Sequence, residues 1–67
     1  MLDEAVSRLE GESPEDGQVV RLRFYAGLSI EQVADVLGVS TSTVERRWRF
    51  ARAWLWRALR TVADDRT

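Results

Sequence analysis

The run Leu28-Ser29-Ile30-Glu31-Gln32-Val33-Ala34-Asp35-Val36-Leu37-Gly38-Val39-Ser40-Thr41-Ser42-Thr43-Val44 constrains this chain most. Ser29 followed three residues later by Gln32 forms a capping box, in which each residue satisfies the other's free backbone N–H at a helix start. Ile30, Val33, Ala34 and Leu37 then fall on one face of that helix. Gly38 permits a backbone turn that a side chain would obstruct. Val39 is an apolar plug in the turn, and Ser40 is positioned to cap the next helix. Ala34 is small where the second helix must cross the first, and Val44 packs against Leu37 across the angle. Together these residues read as a helix-turn-helix from Ser29 to about Trp48, with the second helix as the reader of a DNA groove.

The flanking sequence supplies more helices. Leu2, Ala5, Val6 and Leu9 share one face of a short helix that Gly11 is expected to end. Ser13-Pro14-Glu15-Asp16 marks a new start: a capping residue, a proline at the first helical position, and two acids at the positive helix end. That helix continues through Val19, Val20, Leu22, Phe24 and Tyr25. Gly17 weakens its first turn, and Gly27 is placed to end it in a left-handed conformation. The last helix has neither Gly nor Pro and is expected to run from Thr41 to about Ala63. Val44, Trp48, Leu55, Leu59 and Val62 form its core stripe, while Arg46, Arg49, Arg57 and Arg60 gather on another face. The tail Asp64-Asp65-Arg66-Thr67 is polar and expected to fray. The expected fold class is all-α: a small four-helix bundle containing a helix-turn-helix, with a long C-terminal recognition helix, in one domain over residues 1–67.

A chain of 67 residues has no room for both a core and an enclosed substrate cavity. It has no Cys and no His, so disulfides and Cys/His zinc sites are excluded, and the commonest acid–base catalyst is missing. The reading is therefore a non-enzyme without metal or cofactor. No signal peptide or membrane-length apolar run is visible, which gives a cytoplasmic expectation. The net charge of −1 conceals a division. Residues 1–38 carry −5 and residues 39–63 carry +5, with Glu45 the one acid in the second segment. A basic segment within a near-neutral chain is an electrostatic footprint for a polyanion.

The run Val19-Val20-Arg21-Leu22-Arg23-Phe24-Tyr25-Ala26-Gly27-Leu28-Ser29, followed by the motif above, resembles region four of bacterial sigma factors. More narrowly it resembles the extracytoplasmic-function group. The ending Thr43-Val44-Glu45-Arg46-Arg47-Trp48-Arg49-Phe50-Ala51-Arg52-Ala53-Trp54-Leu55 is similar to that group's pattern of Thr-Val, polar residues, a large apolar residue, then Ala-Arg-Ala and Leu. The resemblance covers about residues 13–60. It implies binding of double-stranded promoter DNA at the −35 element through the second motif helix. It also implies docking on the flap of RNA polymerase and, often, on an anti-sigma protein. Region two, which melts the −10 element in that family, has no counterpart here. The chain is thus expected to be an excised domain or a stand-alone relative that does not initiate transcription alone.

On the DNA-facing side, Ser40, Thr41, Ser42 and Thr43 offer hydroxyls and backbone N–H groups to phosphate, although helix capping alone explains Ser40 in part. Arg46, one turn further on, is the first choice for a base edge. Arg47 and Arg49 are candidates to clamp flanking phosphates, and Arg21 and Arg23 to touch the backbone from the preceding helix. Glu45 stands where many family members carry Lys or Arg. It either accepts from cytosine N4, orients a neighbouring Arg, or faces away from phosphate. Trp48 reads as core, and Trp56 as packed with its edge exposed. Phe50 and Trp54 lie off the stripe, and read either as packing against the first helix or as a partner-binding surface. Two rivals stand beside the sigma reading. One is a response-regulator-type helix-turn-helix, whose last helix is usually short. The other is a protein-interaction module that binds polymerase or a regulator without DNA.

Overall fold

Helix α1, Leu2–Glu12, buries Ala5, Val6 and Leu9. The expected stop at Gly11 does not occur. With no positive φ there, the helix continues one residue past it, and the Ser13 N–H still bonds to the Leu9 carbonyl at 2.7 Å. The break comes at Pro14, which has no N–H to continue the ladder. The computed structural model describes the backbone of residues 2–65 and the side chains of residues 2–60.

Helix α2, Pro14–Val20, starts with Pro14 in the first turn as expected, but Ser13 caps differently. Its hydroxyl donates to Asp16 Oδ2 at 2.7 Å and makes no bond to a backbone N–H. Gly17 has a task that its low helix propensity concealed. A Cβ there would lie 2.3 Å from Glu10 Cγ and 3.0 Å from Glu10 Cα, so the glycine lets α1 and α2 approach closely. From Arg21 to Tyr25 the helix widens into a π-helical turn, in which the Ala26 N–H reaches back five residues to the Arg21 carbonyl at 3.0 Å. The widening shifts the helical phase. Phe24 and Tyr25, which lie in this turn, are exposed. Gly27 then ends the helix at φ +73°, and the Leu28 N–H bonds to the Leu22 carbonyl at 2.9 Å.

Helix α3, Ile30–Leu37, has both halves of the capping box: Gln32 N–H to Ser29 Oγ at 3.1 Å, and Ser29 N–H to Gln32 Oε1 at 2.9 Å. Gly38 closes it in the left-handed conformation at φ +68°. Helix α4, Thr41–Asp65, is 25 residues long, or about 37 Å at 1.5 Å per residue, and so sets the 42 Å long axis of the molecule. It extends past the expected end at Ala63. Val62 and the tail side chains lie outside the described residues. The four helices make an all-helical domain without a strand among the described residues.

Two core clusters hold these helices. One contains Ala5, Val6, Leu9, Val20, Ala51 and Leu55, with Leu2, Trp54 and Leu59 against it. The other contains Val19, Val33, Ala34 and Val44, with Leu22, Leu28, Ile30, Leu37 and Val39 against it. Trp48 packs against both and is half-buried rather than enclosed. Trp56, expected to show only its edge, is 65% exposed.

A polar clasp fastens α1 to the π-turn. Arg21 donates to both Glu10 carboxylate oxygens, at 2.6 and 2.8 Å, and its guanidinium lies over the Tyr25 ring. The Tyr25 hydroxyl donates to Asp3. The hydrogen bonds from Arg21 hold the Glu10 carboxyl below its ordinary value, and the bond to Asp3 raises the Tyr25 hydroxyl.

Two outcomes follow from this packing. Gly17→Ala gains up to about 1 kcal/mol of helix propensity, but its methyl group must push Glu10 aside. The net effect is a loss of about 1–3 kcal/mol, read as a lower urea midpoint, and an unchanged or higher midpoint would refute the close approach. The clasp also has an acid dependence. Because the folded value of Glu10 is depressed, its contribution is complete above about pH 4.3 and is lost as pH falls through the folded value. The thermal midpoint of Glu10→Gln should therefore fall less steeply than that of the wild type between pH 5 and 3, whereas parallel curves would mean the clasp adds nothing.

Candidate nucleic-acid interface

The turn between α3 and α4 determines which side chains of α4 point outward. Ser40 Oγ accepts from the Thr43 N–H at 3.1 Å and lies 3.0 Å from Thr43 Oγ1. The second helix is thereby capped, and Thr41 and Ser42 are exposed on its first turn while Thr43 is half-buried. Val44 is fully buried, which anchors the phase. Glu45, Arg46 and Arg49 are consequently exposed. Beside this face, between the start of α3 and the middle of α4, runs a groove of about 730 Å³ lined by Arg23, Glu31, Thr41, Glu45, Arg49 and Arg52. Its rim mixes cations with two carboxylates, and Glu45 is one of them.

Not every arginine singled out in the sequence lies on this face uncommitted. Arg47 pairs with Glu15 at 2.9 Å, with its side chain 22% exposed, and ties α4 to the start of α2. Arg23 Nη1 donates to the Leu28 carbonyl at 2.9 Å, and the guanidinium lies 5.3 Å from the centre of the Trp48 ring. Its Nε is buried without a hydrogen-bond partner, in keeping with a guanidinium held by ring stacking as well as by hydrogen bonding. Arg21 is held in the α1 clasp. Trp54 packs against the α1 core cluster with Arg8 over its ring at 5.8 Å, whereas Phe50 is 54% exposed. The two aromatic residues paired in the sequence reading thus have different surroundings.

Arg52 is not among the DNA-facing candidates of the sequence, although it is exposed and lines the groove. Its spacing of three from Arg49 was the available signal. The ion pairs of Arg21 and Arg47 had no such signal, because each joins helices that are remote in sequence.

This arrangement defines a class: an all-helical domain with a capped, cation-bearing helix presented after a glycine turn. The chain matches the family model for ECF sigma factors over residues 1–61. It belongs to that family, whose general role is transcription initiation with RNA polymerase and promoter DNA as partners. The match reaches α1, which the resemblance read from the sequence did not include. It also favours the sigma-type reading over the response-regulator type. No curated protein and no solved structure matches the chain. Among the described residues no helix is long and apolar enough to cross a membrane.

The geometry of Arg23 yields a test. A side chain that only touched phosphate would leave stability unchanged when removed. Arg23→Ala instead loses the Leu28 bond and the Trp48 stack, and should cost about 1–2 kcal/mol in chemical denaturation without DNA. An unchanged midpoint would return Arg23 to the set of simple surface cations.

Proposed function

We propose that this chain is a single region-four domain of an extracytoplasmic-function sigma factor, spanning residues 1–67, which reads the promoter −35 element through a helix-turn-helix at residues 29–48. The observation that carries the reading is the phase of α4. Val44 is fully buried, while Thr41, Ser42, Glu45, Arg46 and Arg49 are exposed on the first turns behind a capped N-terminus. The hydroxyls and first-turn N–H groups of Ser40, Thr41, Ser42 and Thr43 position the helix on phosphate. Arg46 reads a guanine edge, and Arg49 grips a neighbouring phosphate. Glu45 acts beside Arg46 and selects against bases that present only acceptors. Arg23 and Arg47, held within the fold, act by fixing the pose of α4, with any phosphate contact secondary. The same domain docks on the polymerase flap, and an anti-sigma protein is a further partner. Exposed Phe50 serves these protein contacts better than Trp54, which is packed on α1.

With Arg49 on phosphate and Arg46 and Arg52 beside it along α4, log K against log salt should fall with a slope of roughly −2 to −3. Affinity that is flat in salt would overturn the reading. Sequence preference provides a sharper test. Arg57 lies about 16 Å along the helix from Arg46, too far to share one segment of groove. In a binding selection from randomised −35-like duplexes, Arg46→Ala should lose discrimination at one or two base pairs, about 1–3 kcal/mol. Arg57→Ala should keep the wild-type preference. Full preference in the Arg46 variant, or scrambling in the Arg57 variant, would mean that α4 docks differently.

A further inference from the structure

Arg21, Arg23 and Arg47 are all engaged within the fold, but not equally. Arg21 donates to both oxygens of Glu10 and lies over the Tyr25 ring. Arg23 bonds to the Leu28 carbonyl and stacks on Trp48. Arg47 instead pairs with a single oxygen of Glu15, Oε2, at 2.9 Å. The Glu15 side chain is 69% exposed and that of Arg47 22%, so the pair has one pole mostly in water. Such pairs contribute little net stability and exchange readily. Position sets Arg47 apart as well. Of these three arginines it is the one on α4, directly after Arg46 and about one turn beyond Thr43. It therefore flanks the capped start of that helix. Glu15 reaches it from the first turn of α2, where the positive helix end favours a carboxylate. The other acid of that turn, Asp16, accepts from the Ser13 hydroxyl at 2.7 Å.

We infer that Glu15 masks Arg47 from DNA phosphate, and so lowers the sequence-independent grip of the interface while leaving base reading untouched. The inference rests on the DNA reading proposed above. A free guanidinium fork grips phosphate through parallel N–H bonds, and each neutralised phosphate adds to affinity for every sequence alike. A guanidinium already paired with a carboxylate brings no net charge to the duplex. To grip phosphate it must give up Glu15, whose freed carboxylate then stands close to the polyanion. Arg46 and Arg49 are exposed outside this pair, so the discrimination assigned to Arg46 does not pass through it. A weaker general grip with unchanged base contacts raises the ratio of specific to non-specific binding, and that ratio decides occupancy among competing sites. Glu15 thereby acts on specificity without touching a base. If the pair served only to tie α2 to α4, loss of Glu15 would leave DNA affinity unchanged or weaken it. A mask requires the opposite sign.

The test uses the full 67-residue chain and a labelled duplex of mixed sequence, with affinity followed by fluorescence anisotropy across a salt series. Such a duplex reports the phosphate contribution without a −35 sequence. At about 0.1 M salt Glu15→Gln should bind roughly threefold tighter than the wild type or better, and its plot of log K against log salt should steepen by about 0.9, the equivalent of one phosphate. The double variant Glu15→Gln, Arg47→Ala should lose both gains and return to the wild-type slope. Glu4→Gln, which removes an exposed acid from α1, should leave the slope unchanged. Circular dichroism of each variant without DNA establishes that the helices are retained. In a selection from randomised −35-like duplexes, Glu15→Gln should keep the wild-type base preference. A wild-type slope in Glu15→Gln overturns the inference, and so does a changed base preference. A gain that survives Arg47→Ala, or that appears equally in Glu4→Gln, overturns it too, because the cause is then net charge at a distance. Wild-type binding that is flat in salt would remove the DNA reading itself, whereas an unchanged slope confined to Glu15→Gln removes the mask alone.

Discussion

Two small cores meet at the indole of Trp48, and the position of every other helix depends on that contact. α2 reaches both cores with adjacent residues. Val20 joins Val6, Leu9 and Leu55 on one side, and Val19 joins Val33 and Val44 on the other. Successive helical residues point about 100° apart, so α2 can serve both only if α4 offers a broad side chain where they converge. Arg23 covers the indole and ties it to the Leu28 carbonyl just before α3. The rotation of α4 about its own axis is thereby fixed from three directions. With Val44 inward, Arg46 and Arg49 have nowhere to go but outward.

Much of this was legible in the sequence because it is local. Ser29 with Gln32, Gly27, Gly38 and Ser40 each set a boundary through neighbours within a few residues, and those boundaries stand where the residues place them. The core stripes were legible because they repeat at the helical period. What could not be read depends on contacts between elements. Gly17 looked like a weak point in a helix until Glu10 was found against it. Gly11 looked like a stop, but no turn forms there. The π-turn from Arg21 to Tyr25 is marked by no short-range pattern. The arginines were least legible of all. A guanidinium on a long stem reaches partners on several helices, so type and spacing do not separate Arg47, paired with Glu15, from Arg46, which is exposed.

The division of charge takes on a physical sense once the helices are assembled. The acids of the first half do more than balance the arginines. Glu10 and Glu15 engage Arg21 and Arg47 and hold α1 and α2 in place. Arg46, Arg49, Arg52, Arg57 and Arg60 are exposed along α4. The first turns suit a polyanion read by its groove. The later turns carry Trp56, which is 65% exposed, beside Phe24.

The two clusters differ in how far along the chain they reach. The Val19–Val33–Val44 cluster closes within a stretch that the α2, α3 and α4 starts can gather locally. The Val6–Leu9–Leu55 cluster joins opposite ends of the chain, and its closure carries the larger loop entropy. α1 is therefore the segment whose docking carries the larger entropic cost, and it covers Val20 and Leu55. The turn at Gly38 and the cap at Ser40 draw on none of its residues. The helix start that the proposed reading of DNA requires is thus built from contacts local to α3 and α4.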